Sequence, residues 1–179
     1  MALLDAIVIL ISSLSAFFDL RIRKIPNWLI AIGVFSGVGL NAFYGVSQLM
    51  HSMAGLVVGI LVLLLPFALG WMGAGDVKFF GVVGALLGVS LLPRVFFYSA
   101  LVAGLIAVAY LVTGNSQLGR LRDLWIDVKL TFLSLGRLLP APIHKHTESR
   151  GGSVPWGVAF AAGTIIAYYF DDKGNWAGF

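Results

Sequence analysis

The stretch from residue 25 to residue 75 contains no aspartate, glutamate, lysine or arginine. A transmembrane helix needs about 20 consecutive apolar residues, so a stretch of this length predicts two crossings of a membrane. The turn between the two crossings is predicted at residues 44–48, around Gly45. Because hydrocarbon offers the backbone no hydrogen-bond partners, both crossings are expected to be helical.

The rest of the chain has the same apolar character, with 59% hydrophobic and 11% charged residues among 179. A soluble domain has about 25% charged residues. Windows that are poor in charge predict six spans, at about 2–18, 27–45, 52–72, 77–92, 95–113 and 154–170. We therefore expect an all-α, polytopic membrane protein with six transmembrane helices, forming a single domain over residues 1–179.

Lysine and arginine are concentrated in the segments that these six spans place on one side of the membrane. Ten of the twelve basic residues lie there, and only Arg94 and Lys173 lie on the other side. Because cytoplasmic segments are enriched in basic residues, the distribution predicts a cell-membrane protein with its N-terminus outside. The same alternation places Asp19, after the first span, and Asp76, before the fourth, at the cytoplasmic face.

Residues 114–153 form the longest polar segment of the chain. Charged and hydroxyl-bearing residues recur there at spacings of three and four, with apolar residues between them, which predicts an amphipathic helix. We expect it to lie on the cytoplasmic leaflet, where basic side chains favour anionic lipid. A cytosolic helix that packs on the protein's own loops is the alternative. The excess of basic over acidic residues is thus attributed to membrane topology and lipid contact, and no nucleic-acid partner is expected.

Glycines also recur at four-residue spacing within three of the predicted spans. Small residues in this register let the backbones of neighbouring helices approach closely in a membrane. The spacing therefore predicts close helix packing, without a chemical role, for three pairs: Gly33 and Gly37, Gly55 and Gly59, and Gly84 and Gly88.

Two aspartates at the edge of apolar segments point to a function, because an ionised acid at membrane depth is unfavourable. Two facing aspartates share one proton, so one can act as a base toward water while the other donates a hydrogen bond to a scissile carbonyl. We therefore predict Asp19 and Asp76 as a catalytic pair for peptide hydrolysis, with no metal and no cofactor. Helix dipoles predict that Asp76, which begins a helix, is more acidic than Asp19, which ends one. Ordinary ion pairs with Arg21, Arg23 or Lys78 are the alternative.

Gly73 and Gly75 come directly before Asp76. Glycine tolerates positive φ and leaves room for another backbone, so these residues are predicted to let an extended substrate lie beside the aspartate. The alternative is that they only turn the chain between the third and fourth spans.

Three segments resemble the signatures of the type 4 prepilin peptidases, which are GxGD-type intramembrane aspartyl proteases. They are residues 19–27 (DLRIRKIPN), 73–78 (GAGDVK) and 154–159 (VPWGVA), and they occur in the family's order. The resemblance implies that Asp19 and Asp76 are the catalytic aspartates. It implies that the residues shaping the site are Gly73, Gly75, Lys78, Pro155, Trp156 and Gly157.

The function implied by the resemblance is removal of the short basic leader from prepilin-like precursors, which carry a membrane helix of their own. The chain has no cysteine and no CxxC-bearing methylase region, so it is more similar to the short tight-adherence (Flp) pilus and archaeal preflagellin peptidases. The sequence therefore does not predict methyl transfer. A small ion- or proton-coupled transporter and a non-catalytic pilus assembly factor are the alternatives.

Overall fold

The computed structural model of the chain describes residues 2–69, 71–112 and 155–170. These residues form six α-helices and contain no strand, which confirms the all-α prediction for the described part of the chain. The helices are α1 (Ala2–Ile22), α2 (Asn27–Phe43), α3 (Val46–Ala68), α4 (Ala74–Leu87), α5 (Leu92–Val112) and α6 (Trp156–Phe170). The amphipathic helix predicted within residues 114–153 lies outside the described residues.

Three of these helices contain a stretch long and apolar enough to cross a membrane, namely Leu3–Ile22, Val46–Ala68 and Leu92–Ala109. The other three are shorter, with 17 residues in α2, 14 in α4 and 15 in α6. At about 1.5 Å per residue, α4 is about 21 Å long, whereas the hydrocarbon core of a bilayer is about 30 Å thick. Length and composition alone therefore support three crossings among the described helices, where the sequence predicted six.

The predicted turn between the second and third spans is shorter than expected. It occupies only Tyr44 and Gly45, because the three residues after Gly45 already belong to α3. Gly45 has a φ of 121°, a backbone conformation that residues with a side chain rarely adopt. A single glycine thus reverses the chain, and residues 46–48 do not form the predicted turn.

The central element of the fold is α4. Its residues from 77 to 86 are buried, with the exception of Lys78. The helix packs against α2 and α3 and also contacts α1 and α6. A helix that is hydrophobic on every side is typical of a buried position. The surroundings of α4 therefore fix where its first turn, and with it Asp76, lies in the bundle.

We call the contact of α4 with α2 and α3 the glycine interface, because it is lined by Gly33, Gly37, Gly55, Gly59, Gly81 and Gly84. A Cβ atom added at Gly37 would lie 2.8 Å from the carbonyl carbon of Ala85. Gly55 and Gly84 pack directly on each other's backbone. The close packing predicted from the glycine spacing is thus present. Gly88 differs, because it ends α4 with a φ of 78°.

A polar cavity of about 250 Å³ lies at the C-terminal end of α4, lined by Asn41, Gln48, His51, Ser52, Leu87, Gly88 and Ser90. The last carbonyl groups of a helix have no partner within the helix and need other donors. Here the Ser52 hydroxyl donates to the carbonyl oxygen of Ala85 at 2.6 Å, and the Asn41 amide donates to the same oxygen at 3.2 Å. Side chains of α2 and α3 therefore satisfy the end of α4.

Helices α1 and α6 run antiparallel, and we call their contact the α1–α6 interface. At one end the Tyr168 hydroxyl donates a hydrogen bond to the Asp5 carboxylate at 2.5 Å. At the other end the Val158 N–H donates to the Asp19 carboxylate at 3.2 Å. Two polar contacts therefore fix the register of α1 against α6, one near each end.

Candidate active site

Asp76 lies in the first turn of α4. Its Oδ2 atom accepts a hydrogen bond from the N–H of Gly73 at 3.1 Å, so the side chain folds back over the start of the helix. A carboxylate in this position satisfies one of the N–H groups that a helix start leaves without a partner. The side chain direction is therefore fixed locally, because Asp76 is the third residue of the helix and Gly73 is the residue directly before it.

The glycines before Asp76 provide space rather than an unusual backbone conformation. Gly73 has a φ of −81°, and neither Gly73 nor Gly75 is among the described glycines with positive φ. A Cβ at Gly73 would lie 3.3 Å from Asp76 Oδ2, and one at Gly75 would lie 3.5 Å from the Cβ of Ile25. The tolerance of glycine for positive φ is therefore not used at either position. Gly73 is exposed beside the carboxylate, which leaves the backbone there open to another chain.

Asp19 lies near the C-terminal end of α1 and is only 6% exposed. Its Oδ2 atom accepts the N–H of Val158 at 3.2 Å. Burial raises the pKa of this carboxyl group, while the N–H of Val158, the charge of Arg23 and the N–H of Gly157 lower it. A Cβ at Gly157 would lie 2.9 Å from three atoms of the Asp19 side chain. The aspartate therefore fits against the start of α6 only because residue 157 has no side chain.

The start of α6 is suited to this contact. The first hydrogen bond within the helix runs from the N–H of Ala159 to the carbonyl of Pro155, so the N–H groups of residues 156–158 have no acceptor inside the helix. Trp156 stacks on Phe160 at 5.9 Å, and Phe160 packs on Phe80 of α4 at 5.1 Å. These aromatic contacts hold the first turn of α6 beside α4.

The fold brings Asp19 and Asp76 into the same part of the bundle, where their charges interact. Burial raises the pKa of Asp76, which lies before the predicted span 77–92, and the charge of Asp19 raises it further. The N–H of Gly73 acts in the opposite direction, and the result is a pKa of about 6 instead of the ordinary 3.8. A carboxyl group with a pKa near neutrality can hold or release a proton under physiological conditions.

The basic residues near the two aspartates have different surroundings. The Lys78 ammonium donates to Oδ1 of Asn27 at 3.1 Å, and the Arg21 guanidinium lies 5.8 Å from the centre of the Phe17 ring. The charge of Arg23 acts on Asp19. Of the three basic residues considered as ion-pair partners, Arg23 is therefore the one whose charge is tied to a candidate aspartate, while Lys78 joins the first motif to the second.

Arg23 also ends α1 through its backbone. It has a φ of 55°, and its N–H donates to the carbonyl oxygen of Asp19 at 3.0 Å. Glycine is the residue usually found in this conformation at the end of a helix. An arginine there keeps a positive charge close to Asp19, at the expense of backbone strain.

Two contributors to the site, Val158 and Asn27, are not among the site residues predicted from the sequence. Val158 acts through its backbone N–H, which every residue except proline has, although Pro155 directly before Trp156 is a usual signal of a helix start. Asn27 was noticed as part of a motif but received no role. Within residues 2–69, 71–112 and 155–170, no cluster of three or more His, Asp or Glu side chains fits a metal ion.

The profile of the Type IV leader peptidase family matches residues 6–108, which is more than half of the chain and includes both aspartates. The chain belongs to the type IV leader peptidase family. The resemblance drawn from the three segments is thereby confirmed at the level of the family. The match ends before α6, so the contact of Asp19 with α6 in this leader peptidase family member lies partly outside the matched region.

A curated relative is the prepilin leader peptidase/N-methyltransferase of Bacillus subtilis (strain 168). It is 29% identical over 163 residues, and the alignment covers 88% of this chain and 52% of that protein. This leader peptidase family member therefore spans about half the length of the curated relative that it matches. No solved structure gives a significant match.

Proposed function

We propose that this leader peptidase family member is an intramembrane aspartic endopeptidase that removes leader peptides from prepilin-like precursors. The observation that carries the proposal is the interaction of a buried carboxyl group, Asp19 from the end of α1, with a half-buried one, Asp76 from the start of α4. Family membership and the name of the Bacillus subtilis relative support the same reaction class.

The proposed chemistry requires one ionised and one protonated carboxyl group around a water molecule. The ionised aspartate accepts a proton from water, and the hydroxide oxygen bonds to the scissile carbonyl carbon. The protonated aspartate gives its proton to the carbonyl oxygen. The carbon–nitrogen bond then breaks as the nitrogen takes the proton first removed from water, and the second aspartate recovers its own. Water is the nucleophile, and no covalent intermediate with the enzyme forms.

The neighbouring motif residues have separate proposed tasks. The open backbone at Gly73 and Gly75 is the surface along which an extended precursor lies. Lys78, through its bond to Asn27, keeps the segment after α1 next to α4. Pro155, Trp156 and Gly157 start α6 in the position where its first turn meets Asp19. None of these residues is proposed to exchange a proton with the substrate.

We further propose that residues 1–179 form one membrane-embedded domain with six spans, its N-terminus outside and its site at the cytoplasmic face of the cell membrane. Three long apolar helices and the unequal distribution of lysine and arginine support this arrangement. The precursor reaches the site with its own helix in the same membrane. The segment 114–153 is proposed to contact anionic lipid on the cytoplasmic leaflet.

The test uses the purified full chain in detergent, incubated with a prepilin-like precursor. Asp19→Asn and Asp76→Asn are expected to lower the rate of leader removal by about 10³-fold, because an acid–base group contributes about 10²–10⁴-fold. Asp5→Asn is the matched control, since Asp5 lies at the other end of α1 and asparagine still offers an oxygen to Tyr168. This control is expected to cleave at close to the wild-type rate.

The alternatives predict different results in the same experiment. A non-catalytic assembly factor would bind the precursor and leave it intact, with or without Asp76. A transporter would leave the precursor intact and would move ions or protons across liposomes in a way that depends on the aspartates. If the Asp76→Asn protein removed the leader as fast as the wild type, the aspartic mechanism would be refuted.

A further inference from the structure

We propose that Asp19 is the base of the catalytic pair and that the backbone N–H groups of Gly157 and Val158 keep it ionised. The inference rests on the proposed function, and it assigns the roles that a symmetric pair of aspartates leaves open. It also gives the start of α6 a defined task, because the peptide groups of residues 157 and 158 then belong to the catalytic machinery.

The first argument is the number of groups that favour a negative charge on each aspartate. Burial raises the pKa of Asp19, but three groups lower it: the Val158 N–H, which donates to Oδ2 at 3.2 Å, the charge of Arg23, and the N–H of Gly157. Asp76 has one such group, the N–H of Gly73 at 3.1 Å. Hydrogen bonds to an ionised carboxylate favour its charged form, so the arrangement distinguishes the two residues.

The second argument concerns Asp76, the partner. It is half-buried, and both this burial and the charge of Asp19 oppose its ionisation, so its pKa rises to about 6. A pair in which one member is held ionised and the other retains a proton is the arrangement that acid–base hydrolysis needs. Asp76 is then the group that protonates the scissile carbonyl oxygen, while Asp19 accepts the proton of water and later passes it to the departing nitrogen.

This assignment reverses the prediction from the helix dipoles, in which Asp76 was the more acidic residue. The dipole argument considered only the helix to which each aspartate belongs. The structure adds the N-terminus of a third helix, α6, whose free N–H groups contact Asp19 directly. Each aspartate accepts one direct hydrogen bond at a helix start, so the difference comes from the additional N–H of Gly157 and from the charge of Arg23, which both act on Asp19.

Within residues 2–69, 71–112 and 155–170, few other charged groups face Asp19. The helices packed against α1 are α2, α4 and α6. Helix α2 contains no titratable side chain, α6 contains only Tyr168 and Tyr169 near its far end, and α4 contributes Asp76 and Lys78. Lys78 is bonded to Asn27. Among these described residues, the ionisation of Asp19 therefore depends on its burial, on Arg23, on the N–H groups of α6 and on its partner Asp76.

The decisive variant is Val158→Pro, which removes one N–H donor and puts the ring Cδ beside Asp19 in place of the amide hydrogen. Proline is tolerated in the first turn of a helix, and the Val158 N–H has no acceptor within α6. The reference is Val158→Ala, which shortens the side chain but keeps the N–H. We expect kcat of the proline variant to be about 10- to 100-fold below that of the alanine variant, with KM for the precursor unchanged.

The pH profile provides a readout that a purely structural role would not change. An anion that loses an N–H donor takes up a proton more readily. The acidic limb of the kcat profile should therefore move to higher pH in Val158→Pro relative to Val158→Ala. Equal kcat values and superimposed profiles for the two variants would overturn the inference, while the dependence on Asp19 and Asp76 in the same assay would still support the proposed function.

A spectroscopic measurement covers the case in which the proline variant does not fold. In the wild-type protein labelled with ¹⁵N-valine, the amide proton of Val158 should resonate downfield, as expected for a donor to a carboxylate, and should move upfield in Asp19→Asn. Asp5→Asn should leave this signal unchanged. A Val158 signal that does not respond to Asp19→Asn would overturn the inference without any measurement of cleavage.

Discussion

The glycine interface and the α1–α6 interface both depend on residues that lack a side chain, but they use the space differently. In the glycine interface, Gly55 and Gly84 let two helix backbones touch. In the α1–α6 interface, Gly157 makes room for the Asp19 carboxylate. The first arrangement sets the distance between helices, whereas the second sets the position of a carboxyl group that we propose as catalytic. The same residue type therefore serves packing in one region and the proposed chemistry in the other, and substitution experiments should separate the two.

The largest effect is expected for Gly157→Ala. The new Cβ would lie 2.9 Å from atoms of the Asp19 side chain and would force the carboxylate away from the N–H groups of α6. A displacement of about 1 Å at a catalytic group can lower a rate by about 10²-fold, so we expect a loss of at least that size in kcat for precursor cleavage.

Gly163→Ala is the matched control for this variant. Gly163 also lies in α6, and its Cβ would come within 2.7 Å of the Cα of Ser99, but it does not touch Asp19. This control should lower the thermal stability of the detergent-solubilised protein while the folded fraction still cleaves. If both variants lost activity only in proportion to the protein that unfolds, Gly157 would contribute to packing alone and not to the position of Asp19.

A stability effect without an active-site effect is expected for Gly37→Ala in the glycine interface. Its Cβ would meet the backbone of Ala85 at 2.8 Å, and overpacking of this kind lowers the free energy of unfolding by about 1–3 kcal/mol. Gly39→Ala is the control within the same helix, because nothing lies within 4 Å of its added Cβ.

The control should behave in the opposite direction. An alanine in a helix interior is more favourable than glycine by about 0.5–1 kcal/mol, so Gly39→Ala should be slightly more stable than the wild type. Unfolding of both variants in mixed micelles measures the difference. A Gly37→Ala protein as stable as Gly39→Ala would mean that α2 and α4 are not in backbone contact.

The smallest effect is expected at the far end of the α1–α6 interface. Tyr168→Phe removes the hydrogen bond to Asp5 while keeping the ring, and a lost hydrogen bond of this type lowers stability by about 0.5–1.5 kcal/mol. Tyr169→Phe, at the next and more exposed position, should change stability by less than about 0.5 kcal/mol. A double-mutant cycle of Tyr168→Phe with Asp5→Ala measures the coupling, and a coupling of zero would contradict the contact.

Much of the fold followed from the sequence because windows without charge leave the backbone few choices other than helix. The helix ends did not, as the early start of α3 at Val46 illustrates. The burial of α4 was also not predictable, because an apolar helix surrounded by protein and one surrounded by lipid have similar compositions. The pairing of Gly55 with Gly84 depends on that burial, so the spacing alone did not reveal which glycines meet.

The sequence predicted the parts of the candidate site that are formed by side chains, but not the parts that are formed by the backbone or by contacts between helices. Asp19 and Asp76 stand out as acids beside apolar segments, and the structure brings them together. The N–H of Val158 and the Lys78 bond to Asn27 depend on how α6 and α2 lie against their neighbours, which a single sequence does not record. The dipole argument for Asp76 failed to include α6 for the same reason.

The short length of α4 has a consequence for the membrane itself. The helix has an acidic pair at its first turn and a polar cavity at its other end, so both ends offer hydrogen bonds to water. Apart from Lys78, the residues from 77 to 86 between the two ends are apolar, with Phe79 and Phe80 among them. In the proposed membrane arrangement this thin apolar layer also insulates the two sides electrically, so the proposed hydrolysis takes place next to a barrier that has to stop protons.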